Sequence, residues 1–199
     1  MAVSAEDVKK LREKTGAGML DCRNALNEAN GNFEEAVAIL RKKGISVAAK
    51  REGKATTQGT IAAYIHAGDQ IGVLVEVNCE TDFVARTEDF RGFARELCLQ
   101  IAAQQPKWIA PEDVPPEALE REREILREQA LKEGKPEHIV DKMVAGRLEK
   151  FYSQYCLLKQ PYIRDDSRTI EDLLNELLAK TGEKISIRRF VRYQVGEEL

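Results

Sequence analysis

Between Ile61 and Val77 the chain alternates with a period of two, the spacing of a strand with one buried face. Ile61, Ala63 and Ile65 recur at every second position, Ala67-Gly68-Asp69-Gln70 supplies a turn, and Ile71, Val73, Val75 and Val77 alternate again. Two such runs around a short glycine-containing loop predict an antiparallel hairpin. Leu74 adds apolar character to the opposite face of the second strand. A further strand is predicted near Lys184–Val195, with Ile185, Ile187, Val191, Tyr193 and Val195 on one face, and it most simply joins the hairpin in a small sheet. No helical crossover alternates with strands, which argues against a parallel nucleotide-binding sheet. The expected fold class is therefore α+β.

The first 50 residues read differently, as three short helices. Ser4 and Asp7 make a capping-box-like start, with Val8 and Leu11 on one face. Thr15-Gly16-Ala17-Gly18 breaks the helix, and Met19–Ala29 resumes it with Cys22, Ala25, Leu26 and Ala29 on one stripe. Asn30-Gly31 ends that helix, and Asn32 with Glu35 opens the third, continued by Val37 and Leu40. Gly44 serves either as a C-cap or as an interior residue if Ile45–Lys50 prolongs the helix. The polar run Lys50-Arg51-Glu52-Gly53-Lys54 is read as a linker.

After the hairpin a helix is expected from about Thr87, with Phe90, Phe93, Ala94, Leu97 and Ile101 on one face. Pro106, Pro111, Pro115 and Pro116 mark the next connection, and Glu117–Leu131 forms a charged helix. Gly134-Lys135-Pro136 punctuates it. Ile139, Val140, Met143, Val144, Leu148 and Phe151 then form a stripe. Thr169 and Asp172 start a last helix carried by Leu173, Leu174, Leu177 and Leu178, which Gly182 ends.

Composition narrows the function classes. No run approaches the roughly 20 apolar residues of a membrane span. Met1–Glu6 lacks the basic start and apolar run of a signal peptide, so a cytoplasmic protein is expected. Residues 1–54 carry 11 Lys/Arg against 8 Asp/Glu, and residues 55–199 carry 20 against 26, so neither part is basic enough to make nucleic acid the default partner. Cys22, Cys79, Cys98 and Cys156 lack zinc-knuckle spacing and read as reduced, mostly buried small hydrophobes.

Enzyme chemistry finds little support. There is no Gly-x-Ser-x-Gly elbow and no phosphate-binding loop with its lysine. His138 reads as a solvated helix residue, and His66 as a residue at a strand end beside a turn. Cys79 is the best nucleophile candidate, but neighbouring Glu80 and Asp82 raise a thiol pKa and suppress reactivity.

One segment stands out. Asn78-Cys79-Glu80-Thr81-Asp82-Phe83-Val84-Ala85-Arg86 ends a hydrophobic strand and leads into a helix. Thr81 or Asp82 caps the following turn. Phe83 either tucks into the protein's own core or stands out as an apolar tip.

Leu11-Arg12-Glu13-Lys14-Thr15-Gly16-Ala17-Gly18-Met19-Leu20-Asp21-Cys22-Arg23-Asn24-Ala25-Leu26 resembles the N-terminal signature of bacterial elongation factor Ts, and Glu76–Arg86 resembles its second signature. Lys142–Arg147 and Arg189–Gly196 are similar to later family blocks, in the expected order. The resemblance spans Val3 to Gly196, and at 199 residues the chain resembles the short form with one core unit. It implies a three-helix ubiquitin-associated-like domain with its linker over 1–54. An α+β core and dimerisation domain with an approximately three-stranded antiparallel sheet follows over 55–199. A lone sheet leaves edges open, which the short form resolves by homodimerisation.

The same resemblance implies a guanine-nucleotide exchange factor without covalent chemistry. Its partner is elongation factor Tu, GDP-bound or nucleotide-free, with no cofactor, no resident metal, no direct nucleic-acid contact and no membrane. Thr81, Asp82, Phe83 and Val84 match the family segment linked to dislodging the GTPase's Mg²⁺. Arg12, Met19, Leu20, His66, Met143 and Val144 are candidate partner contacts, Met143 and Val144 being core residues first. Three other readings stay open. They are a ubiquitin-like or nascent-chain binding module, an RNA-binding accessory resting on Arg41-Lys42-Lys43 and Lys50-Arg51, and a thiol enzyme using Cys79.

Overall fold

The computed structural model describes residues 3–51, 53–134 and 136–198, at positions 45, 47 and 48 the backbone alone. The expectations for Met1 and Ala2, for Glu52 in the linker and for Lys135 between Gly134 and Pro136 lie outside the described residues. The chain divides into two compact units, Met1–Leu99 with Glu171–Leu199, and Gln100–Ile170.

The first unit opens with helices α1 (Ala5–Thr15), α2 (Met19–Glu28) and α3 (Phe33–Arg51). Each is bounded by local chemistry. Ser4 Oγ accepts the Asp7 N–H at the start of α1, and Gly16, at φ +68°, closes it by donating its N–H to the Arg12 carbonyl. Asn32 Oδ1 accepts the N–H groups of Glu34 and Glu35 at the start of α3. Val8, Leu11, Cys22, Ala25, Leu26, Ala29, Ala36 and Leu40 form one buried cluster, the stripes the spacing foretells.

Helix α3 passes through Gly44 to Arg51, so Gly44 is interior and not a cap, and Lys50 and Arg51 belong to the helix, leaving a shorter connection than Lys50–Lys54. The glycine is there for close approach. A Cβ at position 44 would sit 2.9 Å from the Asn175 carbonyl oxygen of α8 (Ile170–Thr181). Arg41 pairs with Asp172 on the same helix at 2.7 Å.

Strands β1 (Gln58–Ile65), β2 (Ile71–Cys79) and β5 (Ile185–Gln194) form an antiparallel sheet in the order β1-β2-β5. The hairpin register pairs Ala62 with Val75 and Tyr64 with Val73. Val73, Val75, Val77 and Cys79 are buried, with Ile185 and Ile187 beside them. Other buried apolar residues of this unit come from α5 (Glu88–Gln104), through Phe90, Phe93, Ala94 and Leu97, and from Leu177 and Leu178 of α8.

One expected stripe turns out to face outward and a second is split between the two faces. Ile61, Ala63 and Ile65 lie on the face opposite the buried valines, and Ile61 and Ile65 are exposed. A register shift between Glu76 and Val77 puts an extra residue, Arg188, between Ile187 and Arg189. Ile185 and Ile187 therefore point inward while Val191 pairs with Leu74 and Tyr193 with Gly72 on the outer face. The single stripe from Ile185 to Val195 is thus split by a bulge that periodicity alone does not reveal. On the outer face Arg189 donates to Glu76 at 2.7 Å, and that hydrogen bond, more than any other influence, holds the Glu76 carboxyl below its ordinary range.

The second unit contains α6 (Pro116–Lys132) and α7 (Glu137–Tyr155), tied by Arg127 to Asp141 at 2.7 Å and Arg147 to Glu133 at 2.8 Å. A short pair, β3 (Pro161–Tyr162) and β4 (Asp165–Thr169), was not foreseen. Nor was its buried polar centre. Gln100 and Gln160 are both fully buried. Gln100 donates to the Gln160 side chain at 3.2 Å and to the Pro161 carbonyl at 3.0 Å, and it accepts the Ile163 N–H at 3.0 Å. Buried amides are tolerated only when satisfied in this way.

Candidate functional site

Strand β2 ends at Cys79, and after Glu80 the chain turns into the one-turn helix α4 (Asp82–Ala85). Thr81 is its N-cap. The backbone there is extended, φ −125° and ψ 155°, and Oγ1 accepts the Val84 N–H at 3.4 Å. Thr87 receives the chain on the far side, accepting the Phe90 N–H at 3.3 Å as α5 begins. Between two capping threonines the turn has little freedom to slide.

This geometry decides the fate of Phe83. Phe83 is 80% exposed, while Ala85 on the opposite side of the turn is buried. The reading in which Phe83 tucks into the protein's own core is overturned. A turn this short has one inward face, and Ala85 occupies it. Val84 is half-buried, and Asp82 pairs with Arg86 at 2.9 Å.

Two carboxylates fix the corner. Glu183 accepts the Thr81 N–H at 3.0 Å on one oxygen and the Thr81 hydroxyl at 2.6 Å on the other. Glu80 accepts the Lys184 N–H at 2.6 Å and pairs with Arg51 at 3.0 Å. Glu183 escaped the sequence reading because its partner lies 102 residues away and no periodic pattern links them.

The four cysteines are buried and free. Cys79 Sγ donates to the Thr81 carbonyl at 3.1 Å. Its pKa is pushed up to about 11, first by burial and then by the Glu183 carboxylate. Against the expectation from Glu80 and Asp82, burial is the larger effect, Glu183 the leading charge, and Asp82 a lesser one. Burial likewise raises Cys98 and Cys156 to about 11.

The remaining candidates are dispersed. Met19 and Leu20 are exposed at the first turn of α2, so neither belongs to the helical core, and Arg12 is exposed on α1. His66 is exposed at the end of β1, where its Nδ1 lies 2.8 Å from the Tyr64 hydroxyl. Met143 and Val144 are half-buried on α7 of the second unit. Among the described residues no group of three or more His, Cys, Asp or Glu is placed to hold a metal ion. Nor is any helix long and apolar enough to cross a membrane.

The small three-stranded antiparallel sheet, the helical N-terminal segment and the exposed, doubly capped corner at the end of β2 define an α+β protein of a particular kind. The family model described as Elongation factor TS matches residues 1–197. An elongation factor Ts of Moorella thermoacetica is 62% identical over 195 residues, covering 98% of this chain and 96% of that one. The elongation factor Ts of Caldanaerobacter subterraneus is also 62% identical, covering 98% of each chain. That of Syntrophus aciditrophicus is 56% identical over 199 residues, covering 100% of this chain and 99% of its own. The chain belongs to the elongation factor Ts family.

Proposed function

We propose that this protein binds elongation factor Tu–GDP and promotes release of GDP and its exchange for GTP. It does so by perturbing the Mg²⁺/phosphate site of the GTPase with Thr81, Asp82, Phe83 and Val84. The observation that carries the reading is Phe83, an aromatic ring 80% exposed on a turn capped at both ends, inside a segment that resembles the family's second signature. Leaving such a ring in water has an energetic cost that a partner's apolar gap recovers.

Phe83 acts as the wedge, Thr81 and Asp82 set the turn, and Val84 packs beneath. Full burial of the ring is worth about 1.5–3 kcal/mol. Realised only on the distorted GTPase, that accelerates GDP release by about 10- to 150-fold, at about 1.4 kcal/mol per decade. A larger acceleration requires other contacts that favour the same distorted state. Linkage adds a constraint: if the factor weakens GDP binding by some ratio, GDP weakens factor binding by that ratio, so a ternary intermediate loses either ligand.

Residues 1–54 act as a ubiquitin-associated-like docking domain and 55–199 as the core. Arg12, Met19 and Leu20 meet the GTPase, supported by the exposure of all three. Met143 and Val144 add contacts from α7. The protein works in the cytoplasm as a homodimer and carries out no covalent chemistry. The open outer face of the sheet supports dimerisation: Ile61, Ile65, Leu74 and Tyr193 are exposed side by side across three strands. A second copy covers that face and brings its His66 to the GTPase.

The deciding measurement is release of labelled GDP from elongation factor Tu with and without this protein. Acceleration is expected, and unchanged release overturns the proposal. Sedimentation of a Leu74→Arg variant tests the dimer separately, a monomer being expected.

A further inference from the structure

The corner that carries Phe83 is built by an exchange between two chain segments far apart in sequence. Cys79 and Ile185 are paired at the end of β2 and the start of β5. Just beyond that pair each segment lends the other a carboxylate. Glu80 reaches across to the Lys184 N–H at 2.6 Å, and Glu183 reaches back to the Thr81 N–H at 3.0 Å and the Thr81 hydroxyl at 2.6 Å. The sheet is thereby extended past its last backbone pair by side chains that imitate a ladder.

The two carboxylates do different work. Glu80 secures the strand ends. Glu183 takes hold of Thr81 itself, the residue whose hydroxyl caps α4. A threonine hydroxyl free to rotate would cap weakly, and the observed 3.4 Å bond to the Val84 N–H is long for a cap. With its proton committed to Glu183 at 2.6 Å, the Thr81 oxygen keeps its lone pairs aimed at the turn. Phe83 lies two residues further on and, being 80% exposed, gains little orientation from packing of its own. Its direction is inherited from the backbone of α4, and that backbone is held at its N-cap by Glu183.

We propose that Glu183 is a positioning residue for nucleotide exchange, holding Thr81 so that the exposed Phe83 ring is presented in one orientation before the GTPase is met. This rests on the reading of Phe83 as the wedge. A preoriented ring avoids the ordering cost that a mobile turn would incur on binding. Because Glu183 acts through Phe83, its loss cannot exceed the loss caused by removing the ring.

The test uses the full-length protein with elongation factor Tu bound to labelled GDP, and it follows release over a range of factor concentrations. Glu183→Ala is expected to lower the maximal stimulated rate by about 10-fold, the lower end of the range for one charge-assisted hydrogen bond. The half-saturating concentration should stay within about twofold, since docking elsewhere is untouched. Glu183→Gln keeps one acceptor, for the Thr81 N–H, but can only donate to the hydroxyl and so leaves its proton uncommitted; it should recover part of the rate. In a double-mutant cycle with Phe83→Ala, adding Glu183→Ala should cost nothing further. Hydrogen exchange of the Thr81 amide is read alongside: protection is expected in the parent and in Glu183→Gln, and lost in Glu183→Ala.

A wild-type rate in Glu183→Ala, or a loss that adds in full to that of Phe83→Ala, overturns the proposal and leaves the wedge standing. An inert Phe83→Ala removes the wedge reading, and with it the role of Glu183 in exchange. Persistent Thr81 protection in Glu183→Ala overturns the positioning contact whatever the kinetics show. Should Glu183→Ala fold poorly, Thr81→Val removes the hydroxyl alone and must reproduce the same slowed, non-additive behaviour.

Discussion

The N-terminal helices and the corner at Thr81–Val84 both present apolar side chains to solvent, but they hold them by different means. Met19 and Leu20 stand on the first turn of α2, which is bounded by neighbours in sequence and backed by a cluster drawn from residues 8–40. Phe83 stands on one helical turn, too short to be stable by itself, whose N-cap Thr81 is held by Glu183, 102 residues away from it. The first surface is built by local periodicity. The second exists only once β2 and β5 have paired. A contact surface on a helix thus survives partial loosening of the protein, whereas one on a strand end requires the sheet to be complete.

Leu26→Ala tests this contrast with the largest effect. Leu26 is fully buried in the helical cluster, and such truncations cost about 2–5 kcal/mol. A core of this size has little stability to lose. Hydrogen exchange should show the amides of α1–α3 losing protection while those of β2 keep theirs. Loosening of both regions together would show that they are one cooperative unit, with the Arg51–Glu80 pair as the connection.

Phe83→Ala comes next. It should slow factor-stimulated GDP release by about 10- to 150-fold, the equivalent of about 1.5–3 kcal/mol, with circular dichroism unchanged because the ring packs against little. Gly44→Ala gives a smaller loss. The added methyl meets the Asn175 carbonyl at 2.9 Å, and overpacking of that kind costs about 1–3 kcal/mol, against roughly 1 kcal/mol gained in helix propensity. The net effect on the urea midpoint should be destabilising by about 1 kcal/mol. Met19→Ala and Leu20→Ala remove half-exposed groups and should each weaken binding to the GTPase by a factor of about five, leaving the saturated release rate unchanged.

The smallest effect at neutral pH concerns the thiols. Cys79, Cys98 and Cys156 have folded-state pKa values raised from 9.0 to about 11, so the folded state holds these protons more tightly than the unfolded chain. Their contribution to stability is complete below pH 9 and is lost as pH rises from about 9 to 11. Thermal unfolding should show that decline, and it should be shallower in Cys98→Ala, the thiol for which burial is the sole cause. Iodoacetamide at neutral pH should label Cys79 slowly in the folded protein.

Much of this molecule follows from sequence by itself. The three N-terminal helices, the hairpin itself, the capped start of α5 and the segment Thr81–Val84 are set by spacing, turn residues and side-chain caps that act over a few positions. Tertiary structure decided the rest. It made Gly44 an interior residue seated against Asn175, and it split the Ile185–Val195 stripe with a bulge at Arg188. It also turned Ile61 and Ile65 outward and satisfied Gln100 through Gln160. Above all it turned Phe83 outward and joined Thr81 to Glu183. Periodicity reports that a face is apolar and not whether anything covers it, and a hydrogen bond between distant residues leaves no repeating trace in the chain that makes it.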